Sequence, residues 1–277
     1  MNVLKPLIVA SLALASTTFA AERNDLPSCY KKAQLVDAIP ASSGRELVVV
    51  VDQTIPMPED IQRDSWVKIK NFVQPGDSVK LYSFSAFLPG EYLRLLYSGT
   101  LETEPSAETR DSESARKLRT LDLCLAQQGK AFDSGFGKAF VGGLRGASSD
   151  IPKSEIMNAL RKVGEDMGKS GQGEHVLFLI SDMLEHSDYT SFYATNQIKN
   201  LNVKDEISKA QKNDLFADLN GARVYVTGAG LVTDGVKQAY RSGKTMDALE
   251  AFWADYILQS NGTLEGFGAP SLSVSLE

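Results

Sequence analysis

The sequence predicts an α/β protein with a doubly wound, mostly parallel central sheet, one antiparallel strand, and helices on both faces. Three observations predict it. Leu47 to Val51, Val176 to Ile180 and Val224 to Val226 are short apolar runs without polar alternation, the pattern of strands covered on both sides. Stretches with apolar residues at helical spacing alternate with these runs, as parallel strands require, because each parallel connection is a crossover. The first two runs also end alike, each delivering an aspartate, Asp52 or Asp182, at its carboxyl end.

The elements follow in chain order. Met1 to Lys5 carries one positive charge, Leu7 to Ala15 is apolar apart from Ser11, and Thr18-Phe19-Ala20 places small residues where a signal peptidase reads them. Residues 1–20 are therefore expected to be a signal peptide cleaved after Ala20. The apolar run is shorter than the roughly 20 residues that cross a bilayer, and no cysteine at the cleavage site offers a lipid anchor. Residues 21–43 read as an N-terminal extension and residues 44–277 as the main domain. Its first unit is the strand Glu46 to Val51, a loop with prolines at 56 and 58, and a helix over Asp60 to Val73 with Ile61, Trp66, Ile69 and Val73 near one face. Pro75-Gly76-Asp77 stops that helix. Ser78 to Phe87 and Tyr92 to Leu101 read as the next two strands. The turn Leu88-Pro89-Gly90 between them is too short for a crossover, so the pair is expected to be antiparallel.

Residues 103–150 read as a charged helical insertion, in which a polar loop from Glu102 to Arg119 enters a helix carrying Cys124. Gly142-Gly143 lacks the Gly-Lys-Ser/Thr ending and the preceding strand of a phosphate loop. A helix is expected from near Pro152 to Met167, with Ile156, Leu160 and Val163 on one side. Asn196 to Asn213 alternates basic and acidic residues and suits an exposed helix or a long loop. After the third buried strand, Met246 to Ser260 places Leu249, Phe252, Trp253, Tyr256 and Ile257 on one helical stripe. Thr245 is its expected N-cap and Gly262 its expected C′ residue. Pro270 to Leu276 alternates Leu272, Val274 and Leu276 and is expected to be a final edge strand.

Composition bounds the function. With 277 residues, 43% of them hydrophobic, the chain is long enough to bury a full core. Its 29 Lys+Arg stand against 35 Asp+Glu, a formal charge of −6, so no basic field exists to hold a polyanion and nucleic acid is not an expected partner. No stretch after the signal segment is apolar for long enough to span a membrane, and the expected location is periplasmic or secreted. Both cysteines, Cys29 and Cys124, lie beyond the signal segment. In an oxidising compartment pairing them is the economical reading, and two buried free thiols are the alternative. The two cysteines and two histidines lack the spacing of a zinc site.

In open α/β sheets ligands bind beyond the carboxyl ends of the strands, where strand order reverses. Asp52 and Asp182 end the two strongest strands, Thr54 follows two residues after Asp52, and Ser154 lies at a loop-to-helix junction between them. Carboxylates and hydroxyls without His or Cys suit Mg²⁺ or another hard divalent cation such as Mn²⁺ or Ca²⁺. Here the sequence resembles the von Willebrand factor A-like family, whose metal-ion-dependent adhesion site combines Asp-x-Ser-x-Ser after the first strand, a Thr before a Thr-x-Ile-x-x-Ala-Leu helix, and an Asp after the fourth strand. The resemblance maps Asp52 and Thr54 onto the first motif, Ser154 with Ile156, Ala159 and Leu160 onto the second, and Asp182 onto the last. It covers about residues 44 to 265. One position departs: Pro56 stands where the motif has a second hydroxyl, which removes a ligand.

The resemblance implies an exported, non-enzymatic protein-binding module whose metal accepts a carboxylate from a protein partner. Two alternatives stand beside it. Asp52-Gln53-Thr54 after an apolar strand also resembles the opening of a Mg²⁺-dependent haloacid-dehalogenase-like phosphotransferase, although Thr227-Gly228-Ala229 supplies no late acidic pair. The other alternative is a scaffold subunit with a vestigial metal site. A serine hydrolase is not expected, because no Gly-x-Ser-x-Gly elbow is present. His175 is expected to be structural, and His186 to lie near the mouth of the site without a chemical role.

Overall fold

The computed structural model describes residues 23–85, 92–148, 153–194, 197–232 and 243–277. The signal segment, the turn Leu88-Pro89-Gly90 and Pro152 lie outside the described residues. The valine run forms β1 (Arg45–Asp52), buried almost throughout. It pairs in parallel with β2 (Ser78–Phe84) on one side and with β4 (Glu174–Ile180) on the other. β3 (Leu93–Thr100) runs antiparallel to β2, as the short connection predicts. β7 (Ala222–Thr227) joins β4, and β8 (Gly262–Phe267) joins β7, both in parallel. The sheet order is β3-β2-β1-β4-β7-β8. Strand order therefore reverses between the central neighbours β1 and β4, and that reversal brings the ends of the two aspartate-bearing strands side by side.

Helices cover both faces. α2 (Glu59–Phe72) and the long α4 (Ala115–Arg145) pack on one side, where Ile61, Ile69, Phe132, Phe136 and Phe140 meet Leu47, Val49 and Val51. α5 (Ile156–Met167), α6 (Val203–Lys212) and α7 (Gly243–Gln259) cover the other, with Leu160, Val163, Ile207, Phe252 and Trp253 against Val48, Val50, Leu177 and Leu179. Alternate residues of β1 thus serve opposite cores, which explains why polar residues are missing from the run. A third, small core joins α1 (Cys29–Ala33) to α4 through Tyr30, Leu35 and Leu121. The disulfide Cys29–Cys124 closes it, with Cα atoms 5.4 Å apart. A short α3 (Ala107–Ser112) precedes α4, and β5 (Tyr193–Ala194) and β6 (Gln197–Ile198) form a small separate hairpin. Among the described residues no helix is long and apolar enough to cross a membrane.

Four local expectations are corrected. α5 begins at Ile156 rather than near Pro152, because Ser154 is held extended by backbone pairing with His186. The polar stretch after Asn196 yields α6, but Ile207 and Ala210 are buried, so one face of that helix belongs to the core. α7 begins at Gly243 and places Thr245 inside its first turn; at the other end Asn261 takes the left-handed φ of 55° and Gly262 already opens β8. The edge strand is β8, not Pro270 to Leu276. That tail is irregular, and its Leu272 and Leu276 are buried in the core beneath α2 and α4.

Candidate functional site

The reversal point gathers the predicted residues. Asp52 is fully buried at the end of β1, and hydroxyls surround its carboxylate. Thr54 donates to Oδ1 from its backbone N–H at 2.8 Å and from Oγ1 at 2.5 Å. Ser154 Oγ donates to Oδ2 at 3.3 Å and Ser181 Oγ to the same oxygen at 2.7 Å. Each hydroxyl spends its proton on Asp52; Ser181 Oγ also accepts from the Met183 N–H at 3.0 Å and so has one lone pair left for a further contact. Thr54 and Ser154 therefore meet at Asp52. Ser181, which the sequence reading passed over, supplies a third hydroxyl from the β4 side. Its only signal was its place immediately before Asp182.

Asp182 lies just beyond β4 and is 1% exposed. The chain turns at once, since Met183 takes a left-handed φ of 59°, and the Leu184 N–H returns to Asp182 Oδ1 at 2.9 Å. The Trp253 indole fixes this turn by donating to the Met183 carbonyl at 2.8 Å. Tyr193 Oη donates to Asp182 Oδ2 at 2.9 Å; this tyrosine too was absent from the predicted set. Asp52 and Asp182 share no hydrogen bond between them but feel each other's charge. Burial raises the pKa of both above the ordinary carboxylate value, and the Asp52 charge raises Asp182 further.

The loops that carry Ser154 and Asp182 are clipped together. Ser154 N–H donates to the His186 carbonyl at 3.0 Å and His186 N–H to the Ser154 carbonyl at 2.8 Å. Glu185, 1% exposed, accepts from the Met157 N–H at 3.1 Å. It caps the first turn of α5 from outside the helix, where the side chain of the residue at the cap position, Glu155, accepts no bond from the helix backbone. His186 contributes backbone pairing and a bond between its ring Nδ1 and Ser191 Oγ at 2.9 Å. His175 is structural, buried with Nδ1 3.1 Å from Glu46. Gln53 ties the site to α4, donating to the Gly143 carbonyl at 2.7 Å.

Charge separates this corner from the rest of the molecule. Among the described residues three of the other buried acids have basic partners: Asp77 has Arg45 at 2.6 Å, Glu46 has Lys80 at 3.2 Å, and Glu206 has Lys199 and Lys209, each at 2.9 Å; the fourth, Glu185, has the Met157 N–H instead. Asp52 and Asp182 have no basic partner. Two adjacent buried carboxylates without a basic side chain require a proton or a cation. The donor set fits a hard divalent ion, because it offers carboxylate and hydroxyl oxygens only. Among the described residues no three acids, histidines or cysteines converge, so an ion here would depend on the hydroxyls of Thr54, Ser154 and Ser181 and on water. Pro56 is exposed and brings no hydroxyl.

No family model matches the sequence, and no curated protein matches it significantly. Among solved structures, an aerotolerance-related membrane protein from Bacteroides fragilis NCTC 9343, carrying multiple mutations to serine, is similar over 79% of this chain and 89% of its own, with 12% identity and a TM-score of 0.35. The six-stranded, mostly parallel sheet with its one antiparallel member establishes the fold class on its own.

Proposed function

We infer that this chain is an exported, non-enzymatic protein-binding module of von Willebrand factor A-like type with a divalent-cation site at the carboxyl ends of β1 and β4. The observation that carries this reading is the pair of neighbouring buried acids, Asp52 and Asp182, ringed by hydroxyls and lacking the basic partners that Asp77, Glu46 and Glu206 have. Asp52, Thr54, Ser154 and Asp182 would hold Mg²⁺, or Mn²⁺ or Ca²⁺, and Ser181 offsets the hydroxyl missing at Pro56. A cation held this way supplies a positive charge, approached past the partly exposed Thr54, for a carboxylate on a protein partner. The disulfide supports an extracytoplasmic, periplasmic or secreted location.

Isothermal titration of Mg²⁺ and Mn²⁺ into the protein, beside a phosphate-ester hydrolysis assay, tests the reading. The wild type is expected to bind and not to turn over ester. Asp52→Ala, and the nearly isosteric Asp52→Asn, are expected to lose binding while retaining their circular dichroism. Absence of binding heat in the wild type would leave a vestigial scaffold as the better description. Hydrolysis that disappears with Asp52 would establish a phosphotransferase.

A further inference from the structure

The segment from Ser181 to Tyr193 touches the site repeatedly. Ser181 bonds Asp52, Glu185 caps α5, His186 pairs with Ser154, and Tyr193 returns to Asp182. The last contact has no counterpart in the motifs that located the site. Of the two Asp182 oxygens, Oδ1 is held by the Leu184 N–H, and Oδ2 is held by the Tyr193 hydroxyl at 2.9 Å. The tyrosine is 39% exposed, yet its hydroxyl reaches a carboxylate that is 1% exposed. Its ring stands edge-on to His186 with centroids 5.9 Å apart, so the backbone pairing of His186 with Ser154 also steadies the phenol.

The geometry points to Tyr193 as a positioning residue that fixes the Asp182 carboxylate beside Asp52 and thereby sets how tightly the pair takes a divalent cation. This inference rests on the proposed cation site. A carboxylate ligand held by a second hydrogen bond is oriented before the ion arrives, and losing such an outer partner typically costs about 10–100-fold in metal affinity. Tyr193→Phe removes the hydroxyl and keeps the ring against His186, so it isolates the bond to Asp182 from packing.

The test uses the full mature chain and Mn²⁺ as the probe, read by calorimetry and by ultraviolet difference absorbance in the tyrosine band. Tyr193→Phe should weaken Mn²⁺ binding about 10–100-fold with an unchanged thermal midpoint. Tyr189→Phe, at a 49% exposed tyrosine of the same segment, should leave it unaltered. Mn²⁺ should perturb tyrosine absorbance in the wild type and in Tyr189→Phe, and the signal should vanish in Tyr193→Phe. Wild-type binding with equal affinity in Tyr193→Phe, or a tyrosine signal that survives there, overturns the role of Tyr193 and leaves the cation site standing. A wild type that takes up no Mn²⁺ overturns both.

Discussion

Glu185 shows what burial does to a carboxylate that has backbone donors but no basic partner. Burial pushes its pKa up to about 8 from an ordinary 4.5, against the pull of the Met157 N–H, Ser187 and the Ile156 N–H. Glu206, also nearly buried, goes the other way. Burial opposes its ionisation, but bonds from Thr190 and Lys199 hold its pKa below the ordinary value. For Glu185 the native state keeps a proton that the unfolded chain releases above about pH 4.5, so this group lowers stability as pH rises from 4.5 to about 8. Gln at this position keeps an acceptor for the α5 amides and cannot ionise. Glu185→Gln should therefore gain on the wild type across that window, by a few kcal/mol at pH 8 at about 1.4 kcal/mol per pKa unit. Urea unfolding at pH 5 and pH 8 measures it, and a difference that does not change with pH would contradict the assignment.

At the scale of elements, α4 explains why its glycines do not form a loop. The helix has 31 residues, about 46 Å at 1.5 Å per residue, and is far longer than the strands it crosses. Its carboxyl-terminal half lies on the sheet through Phe132, Phe136, Phe140 and Leu144, while its first half carries α1 through Leu121 and Cys124. A side chain at Gly143 would come within 2.9 Å of Leu96 Cδ1, the tip of a side chain that can turn aside. Gly164 in α5 is a true close approach, since an added Cβ would stand 2.3 Å from the Asp218 carbonyl oxygen. In a free helix Gly→Ala stabilises by about 1 kcal/mol. Here the new methyl meets backbone, and the overpacking costs about 1–3 kcal/mol. Gly164→Ala should come out net destabilising in chemical denaturation, and a raised midpoint would show that the Asp218 turn yields.

Across the whole molecule, both ends of the described chain are tied to the sheet. Asp25 N–H donates to the Ser98 carbonyl at 2.6 Å, and Ser98 N–H donates to the Asp25 carboxylate at 3.0 Å, so the N-terminal segment covers the β3 edge from its first described residues. Arg23 adds bonds to the Leu95 and Leu96 carbonyls. The disulfide then fastens the same segment to α4 across 95 residues, which the chain-entropy account values at about 5 kcal/mol. Export predicts that protein recovered from an extracytoplasmic fraction has an intact mass starting at Ala21 and no thiol reactive after unfolding without reductant. An uncut mass in that fraction, or two reactive thiols, would contradict this.

The sequence by itself determined the α/β class, the strands β1, β4 and β7, the antiparallel β3, and the strand-end places of Asp52 and Asp182, because these depend on short-range signals. An unbroken valine run has to be buried on both faces, and a strand-end aspartate follows it within a few residues. The pairing of Cys29 with Cys124, left open beside free thiols by the sequence, is decided by the packing of α1 on α4. Tertiary structure also decided that β8, with two glycines and little apolar alternation, is the sheet edge, since its pairing with β7 outweighs its weak local preference. Tyr193 and Glu185 could not be read from spacing. Both act on residues that only the folded chain brings near, and a phenol or carboxylate gains its role from the groups beside it and from the exclusion of water.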